Sequence, residues 1–148
     1  FCMINELALD FAQWKQGWNA MFGEVIESTM KTVREMREAG VTVVLMSNTN
    51  ATHSERWLNG YKDLVEAFDH RYLSNEIGMR KPEPRVFEFI LEQHQCEASQ
   101  VVYFDDLREN INAAKRLGIE SILFDDDSRA TLWWKRHQAT VGEVASIA

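Results

Sequence analysis

The stretch VVYFDDLRENINAA, residues 101–114, limits the folds open to this chain more than any other. Val101-Val102-Tyr103-Phe104 has the length and β-branched character of a buried strand, and it stops at two adjacent carboxylates, Asp105 and Asp106. A helical pattern begins near Glu109. In an open α/β sheet, chemistry collects beyond the carboxyl ends of the strands. Two acids at a strand tip therefore project toward a site, and carboxylate oxygens are what a hard cation such as Mg²⁺ takes as ligands. The alternative for these two residues alone is a solvated acidic turn, since acids also favour helix N-termini.

The rest of the chain repeats this alternation. Asp10 and Gln13 form a capping box ahead of a helical run within residues 1–22, whose face carries Phe11, Trp14, Trp18 and Met21. A second helix spans residues 24–39, with Ile26, Met30, Val33 and Met36 as its stripe and Gly40 placed for a left-handed C-cap. Val41 to Met46 is apolar almost throughout, as in a strand covered on both faces. Residues 53–68 read as a helix interrupted at Asn59-Gly60, followed by a short strand at 71–73. A helix over 84–95, the central strand and its helix, a strand over 120–124 and a closing helix over 129–137 complete the order. This alternation specifies an α/β fold with a Rossmann-like parallel sheet sandwiched by helices.

Two further strand-end segments carry chemistry. The first strand ends in Ser47-Asn48-Thr49-Asn50, four small hydrogen-bonding residues that suit either a site or a polar turn. The chain's two prolines, Pro82 and Pro84, flank the turn that carries Lys81. Pro82 restricts the conformation of Lys81, and Pro84 suits the first turn of the next helix. Such bracing fixes where the ammonium points, which a phosphate-binding lysine requires; a plain proline-rich loop is the alternative. The acids Asp125-Asp126-Asp127 read as a solvated loop, and His53, His70, His94 and His137 show no metal-ligand spacing.

A formal charge of −7 argues against non-specific nucleic-acid binding, which needs a basic surface. It does not exclude an anionic small molecule, because local cations override an average field. No apolar run approaches the length of a membrane span. Two cysteines, Cys2 and Cys96, are too few for a disulfide framework and suit a cytoplasmic setting.

Taken together and in this order, VTVVLMSNTN, GMRKPEPRVFEFIL and VVYFDDLRENINAAKRLGI resemble the haloacid dehalogenase-like superfamily over almost the whole chain. Within it they are most similar to alpha-D-glucose-1-phosphate phosphatase-like proteins and to the N-terminal phosphatase domain of soluble epoxide hydrolases. The resemblance implies that Ser47 is the phosphate-binding hydroxyl and that Asn48 also contacts substrate. It makes Lys81 the cation of the third motif, Asp106 the direct Mg²⁺ ligand, and Asp105 and Asn110 supporting groups around the ion. It also implies a Mg²⁺-dependent phosphatase acting on a small phosphorylated metabolite, a sugar phosphate, through an aspartyl-phosphate. Residues 1–22 become the end of a small helical cap, and 23–148 the α/β core.

The family's first motif, a strand ending in the aspartate nucleophile, is not found in these residues. The expectation is an incomplete chain that is inactive alone, with on the order of 50 residues preceding it. The core then lacks its central strand and holds an apolar slot in its place. The competing expectations are a non-catalytic domain of the same fold and a metal-independent dehalogenase.

Overall fold

The computed structural model describes residues 10–20 and 22–145. Cys2, Met21 of the aromatic face, and residues 1–9 of the first helical run lie outside them. The elements are α1 (Phe11–Asn19), α2 (Glu27–Glu38), β1 (Val44–Ser47), α3 (Ala51–Gly60), α4 (Lys62–Glu66) and β2 (His70–Leu73). There follow α5 (Ser74–Ile77), α6 (Pro84–Gln93), β3 (Val102–Asp105), α7 (Arg108–Arg116), β4 (Glu120–Leu123) and α8 (Arg129–Ala145). The α/β alternation is as expected, with local differences. The break after α3 falls at Tyr61, whose φ of −130° leaves the helical region, and not at Asn59-Gly60. The last helix runs on to Ala145. Residues 74–77 form one helical turn closed by Gly78 at φ +68°, a left-handed conformation that glycine adopts without a Cβ clash.

Several local signals act as the sequence suggests. Asp10 accepts from the Gln13 N–H at 2.8 Å while the Gln13 side chain accepts from the Asp10 N–H at 3.0 Å. Gly40, at φ +84°, ends α2, and the Val41 N–H returns to the Met36 carbonyl at 3.0 Å. Pro84 opens α6, where its missing N–H leaves no helix bond unmade.

The sheet departs from a single continuous ladder. β1 pairs in parallel with β2, Val44 opposite His70 and Ser47 opposite Leu73. β3 pairs in parallel with β4, Val102 opposite Glu120 and Asp105 opposite Leu123. Among the described residues no ladder joins the two pairs. All four residues of β1 are only half-buried, although Val44, Leu45 and Met46 are the kind of side chain a central strand covers. Among the described residues, β1 has no ladder partner besides β2, and β3 none besides β4.

Each pair has its own packing. Val86 and Phe87 of α6 meet Ala113, Ala114 and Ile119 from α7 and its C-terminal turn, forming a buried cluster beside β3. Met30 and Val33 of α2 meet Ala67 beside β1 and β2. Burying a Val, Met or Phe side chain stabilises by roughly 1.5–3 kcal/mol, so these clusters carry much of the fold. α8 closes onto α2, where the Thr32 and Thr131 hydroxyls meet at 2.7 Å. No described helix is long and apolar enough to cross a membrane.

Candidate active site at the strand tips

β1 and β2 run parallel, so the segments that follow them lie at one end of that pair, and the Lys81 side chain joins the end of β3 to them. The tip of β1 is cross-linked to the tip of β2. The Ser74 hydroxyl donates to the Thr49 carbonyl at 3.0 Å and accepts from the Thr49 N–H at 2.9 Å. Asn50 accepts from the His53 N–H at 3.0 Å and caps α3. Ser47 is half-buried, and its hydroxyl has no hydrogen-bond partner among the described residues.

Asn48 has a role that its position in a polar turn does not reveal. Its side-chain amide donates to the Lys81 carbonyl at 2.7 Å and accepts from the Lys81 N–H at 2.9 Å. Both ends of the amide are therefore engaged with the backbone of the lysine. The expected bracing of Lys81 is real, and it comes from Asn48 as well as from the prolines. The Lys81–Pro82 bond is cis.

Held in this way, the Lys81 ammonium reaches across the gap between the two strand pairs. It donates to the Met46 carbonyl on β1 at 3.0 Å and to Asp105 Oδ2 at the end of β3 at 2.7 Å. Its side chain is 11% exposed and that of Asp105 is 3% exposed, so the ion pair is buried. A buried pair holds only when its remaining hydrogen-bonding capacity is satisfied. Asp105 meets that condition. Besides Lys81, it accepts from the Tyr103 hydroxyl at 2.5 Å, the Leu107 N–H at 2.8 Å and Asn110 Nδ2 at 2.8 Å. Burial alone raises the Asp105 carboxyl, but these donors outweigh it and hold it below the usual 3.8. Tyr103 goes the other way: burial, then the adjacent Asp105 charge, push its phenol well above 10.0.

Asp106, one residue on, is exposed and makes no hydrogen bond or ion pair among the described residues. Asn110 is 2% exposed. A carboxylate only accepts, so the bond to Asp105 fixes which end of the Asn110 amide is the donor. That leaves Asn110 Oδ1 buried and without a partner. Buried acceptors are normally satisfied, and an orphan of this kind marks a place for a water or an ion.

Of the six residues singled out in the sequence, the structure links Asn48, Lys81, Asp105 and Asn110 by hydrogen bonds, while Ser47 and Asp106 adjoin Asn48 and Asp105 in the chain and make no hydrogen bond with the others. Sequence reading missed Tyr103, which lies two residues before Asp105 and so on the same face of β3; the period of two could have found it. It also missed His53, which lines a cleft of about 380 Å³ with Thr49, Ser74, Asn75 and Arg80 beside the Asn48–Lys81 clamp. Among the described residues, no group of three or more His, Cys, Asp or Glu side chains is arranged to hold a metal.

Known proteins share this fold. The family model for haloacid dehalogenase-like hydrolases matches residues 4–124. The chain is 30% identical over 118 residues to a D-ribitol-5-phosphate phosphatase of Bacteroides thetaiotaomicron, covering 76% of this chain and 57% of that protein. It is 33% identical over 96 residues to a sesquiterpene phosphatase of Aspergillus oryzae, covering 64% of this chain and 47% of that protein. A haloacid dehalogenase family enzyme of Bacteroides thetaiotaomicron, solved with magnesium and inorganic phosphate, superposes with a TM-score of 0.72 at 27% identity. That match covers 82% of this chain and 63% of the other. The chain thus spans about half to two thirds of the length of these relatives. With the family model matched across most of its length and the same fold in a solved family enzyme, the chain belongs to the haloacid dehalogenase-like hydrolases.

Proposed function

We propose that the natural polypeptide carrying these residues is a Mg²⁺-dependent phosphatase of a small phosphorylated metabolite, a sugar or polyol phosphate. The observation that carries this reading is the Lys81 ammonium. It has three donors, and two of them are engaged, with Met46 and Asp105, leaving one for a substrate oxygen. Phosphoryl transfer spreads negative charge over the equatorial oxygens, so a fixed cation stabilises the transition state more than a mobile one. Ser47 adds a directional hydroxyl at the same end of the sheet.

The donors at the β3 tip fit a hard cation. Asp106 supplies a free carboxylate and Asn110 Oδ1 an unsatisfied buried oxygen, and Mg²⁺ takes one or two protein oxygens while keeping several waters. Bound there, the ion supplies charge neutralisation to a phosphate oxygen. Asp105, saturated by four donors, is a positioning group that holds Lys81 and Asn110 in place. A metal-independent dehalogenase leaves the Asn110 oxygen without a purpose, which favours the phosphatase.

The nucleophile, on this reading, is an aspartate on a strand seated between β1 and β3, each of which has a single ladder partner among the described residues. Its carboxylate attacks phosphorus, the P–O bond to the leaving alcohol breaks, and water then hydrolyses the aspartyl-phosphate. In this division, residues 1–22 close the cap and 23–148 form the core. The reading is tested by replacing Lys81 with Ala and titrating inorganic phosphate. Affinity is expected to fall by roughly tenfold to a hundredfold, the scale of a charged hydrogen bond, with far-UV circular dichroism retained. Unchanged affinity would remove Lys81 from the site.

A further inference from the structure

The cleft beside Lys81 is lined mostly by hydrogen-bonding groups, and most of them already have partners. Asn48 holds the Lys81 backbone, Thr49 and Ser74 bind each other, and Glu83 is paired with Arg85 at 2.6 Å. Arg80, exposed at the cleft, offers donors only. A ligand hydroxyl needs an acceptor as well; Asn75, whose Nδ2 donates to Ser54 Oγ at 3.5 Å, carries one in its Oδ1, and His53 carries another in its ring.

Three contacts hold that imidazole. Its ring stacks on Trp18 at a centroid separation of 5.4 Å, and Phe22 meets it edge-on at 5.0 Å. His53 Nε2 lies 3.2 Å from the Trp18 carbonyl. A carbonyl only accepts, so Nε2 carries the proton, and in the neutral ring Nδ1 is left as a bare acceptor. Nδ1 has no partner among the described residues. The Trp18 ring is itself stacked on Trp14 at 5.5 Å, and Lys15 pairs with Glu55 at 2.6 Å, so α1 and α3 present the ring as part of one wall. A side chain fixed before the ligand arrives loses little rotamer freedom on binding.

We propose that His53 is a specificity residue: its Nδ1 accepts a hydrogen bond from a leaving-group hydroxyl, selecting sugar or polyol phosphates over phosphates of apolar alcohols. This rests on the phosphatase reading above and adds the group that reads the leaving alcohol.

The test compares D-ribitol 5-phosphate with pentyl phosphate as substrates of the natural polypeptide, using His53→Phe and His53→Asn. Phe keeps a ring to stack on Trp18 but has no acceptor. Asn keeps a polar atom near the Nδ1 position but loses the ring. His53→Phe is expected to lower the kcat/KM ratio of polyol to alkyl phosphate by about three- to tenfold, mainly through KM, the scale of one neutral hydrogen bond. His53→Asn is expected to keep most of the ratio. The reverse pattern, with the ratio kept by Phe and lost in Asn, would assign His53 to packing and overturn the proposal. Equal kcat/KM for both esters in the unaltered protein would overturn it as well, with the phosphatase reading intact. Hydrolysis of neither ester would overturn both.

Discussion

Two strand ends in this molecule carry consecutive aspartates, Asp105-Asp106 after β3 and Asp125-Asp126-Asp127 after β4. Beyond β3, Asp105 is 7% exposed and receives donors from the strand itself, the following turn, the following helix and a lysine 24 residues away. Beyond β4, every acid is exposed, and the side-chain partners of Asp125 and Asp126 are local. Arg129 pairs with Asp125 at 2.6 Å, and the N–H and hydroxyl of Ser128 close on Asp126. A larger number of acids makes the lesser site. What separates the two is the buried donor set behind the first carboxylate; the next one, Asp106, is exposed and, on the reading proposed above, faces the ligand.

That contrast can be broken most forcefully at Asp105. Asp105→Ala leaves the Lys81 ammonium buried without its counter-charge, and loss of one partner of a buried pair costs about 3–5 kcal/mol. Urea unfolding is expected to show a loss of that size; a loss typical of a surface substitution would mean that the pair is not a structural anchor. Asp106→Asn should behave differently. Stability without metal stays within about 0.5 kcal/mol, as for other surface changes, while the rise in Tm with added Mg²⁺ disappears. In the unaltered protein that rise corresponds to about 2.7 kcal/mol at a hundredfold excess over Kd. A full Mg²⁺ response in Asp106→Asn would exclude this carboxylate as a ligand.

A third acid sharpens the comparison by pH. Asp69, just before β2, accepts from the Val43 N–H at 2.9 Å and from Arg37 at 2.7 Å. The Val43 bond, with the Arg37 contribution, outweighs burial and holds its carboxyl below 3.8. A depressed native pKa gives stability that is present above the unfolded-state value and is lost as pH falls through the native one. Stability should therefore decline below about pH 4, and Asp69→Asn should remove part of that decline while lowering stability at pH 7. An unaltered acid limb would contradict this assignment. The smallest effect is expected beyond β4: Asp125→Asn breaks one exposed ion pair and should change stability by less than about 0.5 kcal/mol. A loss approaching that of Asp105→Ala would erase the distinction between the two tips.

The comparison also shows what the sequence can and cannot convey. Local devices were legible because their partners lie within a turn: the Asp10–Gln13 box, the Gly40 cap, and Pro84 at the start of α6. The strand tips were legible because apolar runs ended abruptly in polar residues. The clamp of Asn48 on Lys81 and the burial of Asp105 under Lys81 were not, since they join residues 33 and 24 positions apart. The pairing of the strands as β1 with β2 and β3 with β4, and its bridging by the Lys81 side chain, were not legible either, because neither a ladder partner nor a single ammonium spanning two strand ends has a periodic signature. His53 looked inert because a metal ligand was the only role weighed for it, whereas its partners are an aromatic face and a backbone carbonyl.

The central claim, that the β1 and β3 tips together form a Mg²⁺-dependent phosphate site, is tested most directly by phosphate release from D-ribitol 5-phosphate by the natural polypeptide. Release is expected with Mg²⁺, to cease with EDTA and return on adding Mg²⁺, and to fall about a hundredfold or more in Asp106→Asn. Release that persists in EDTA, or an Asp106→Asn protein as active as the unaltered one, would contradict it.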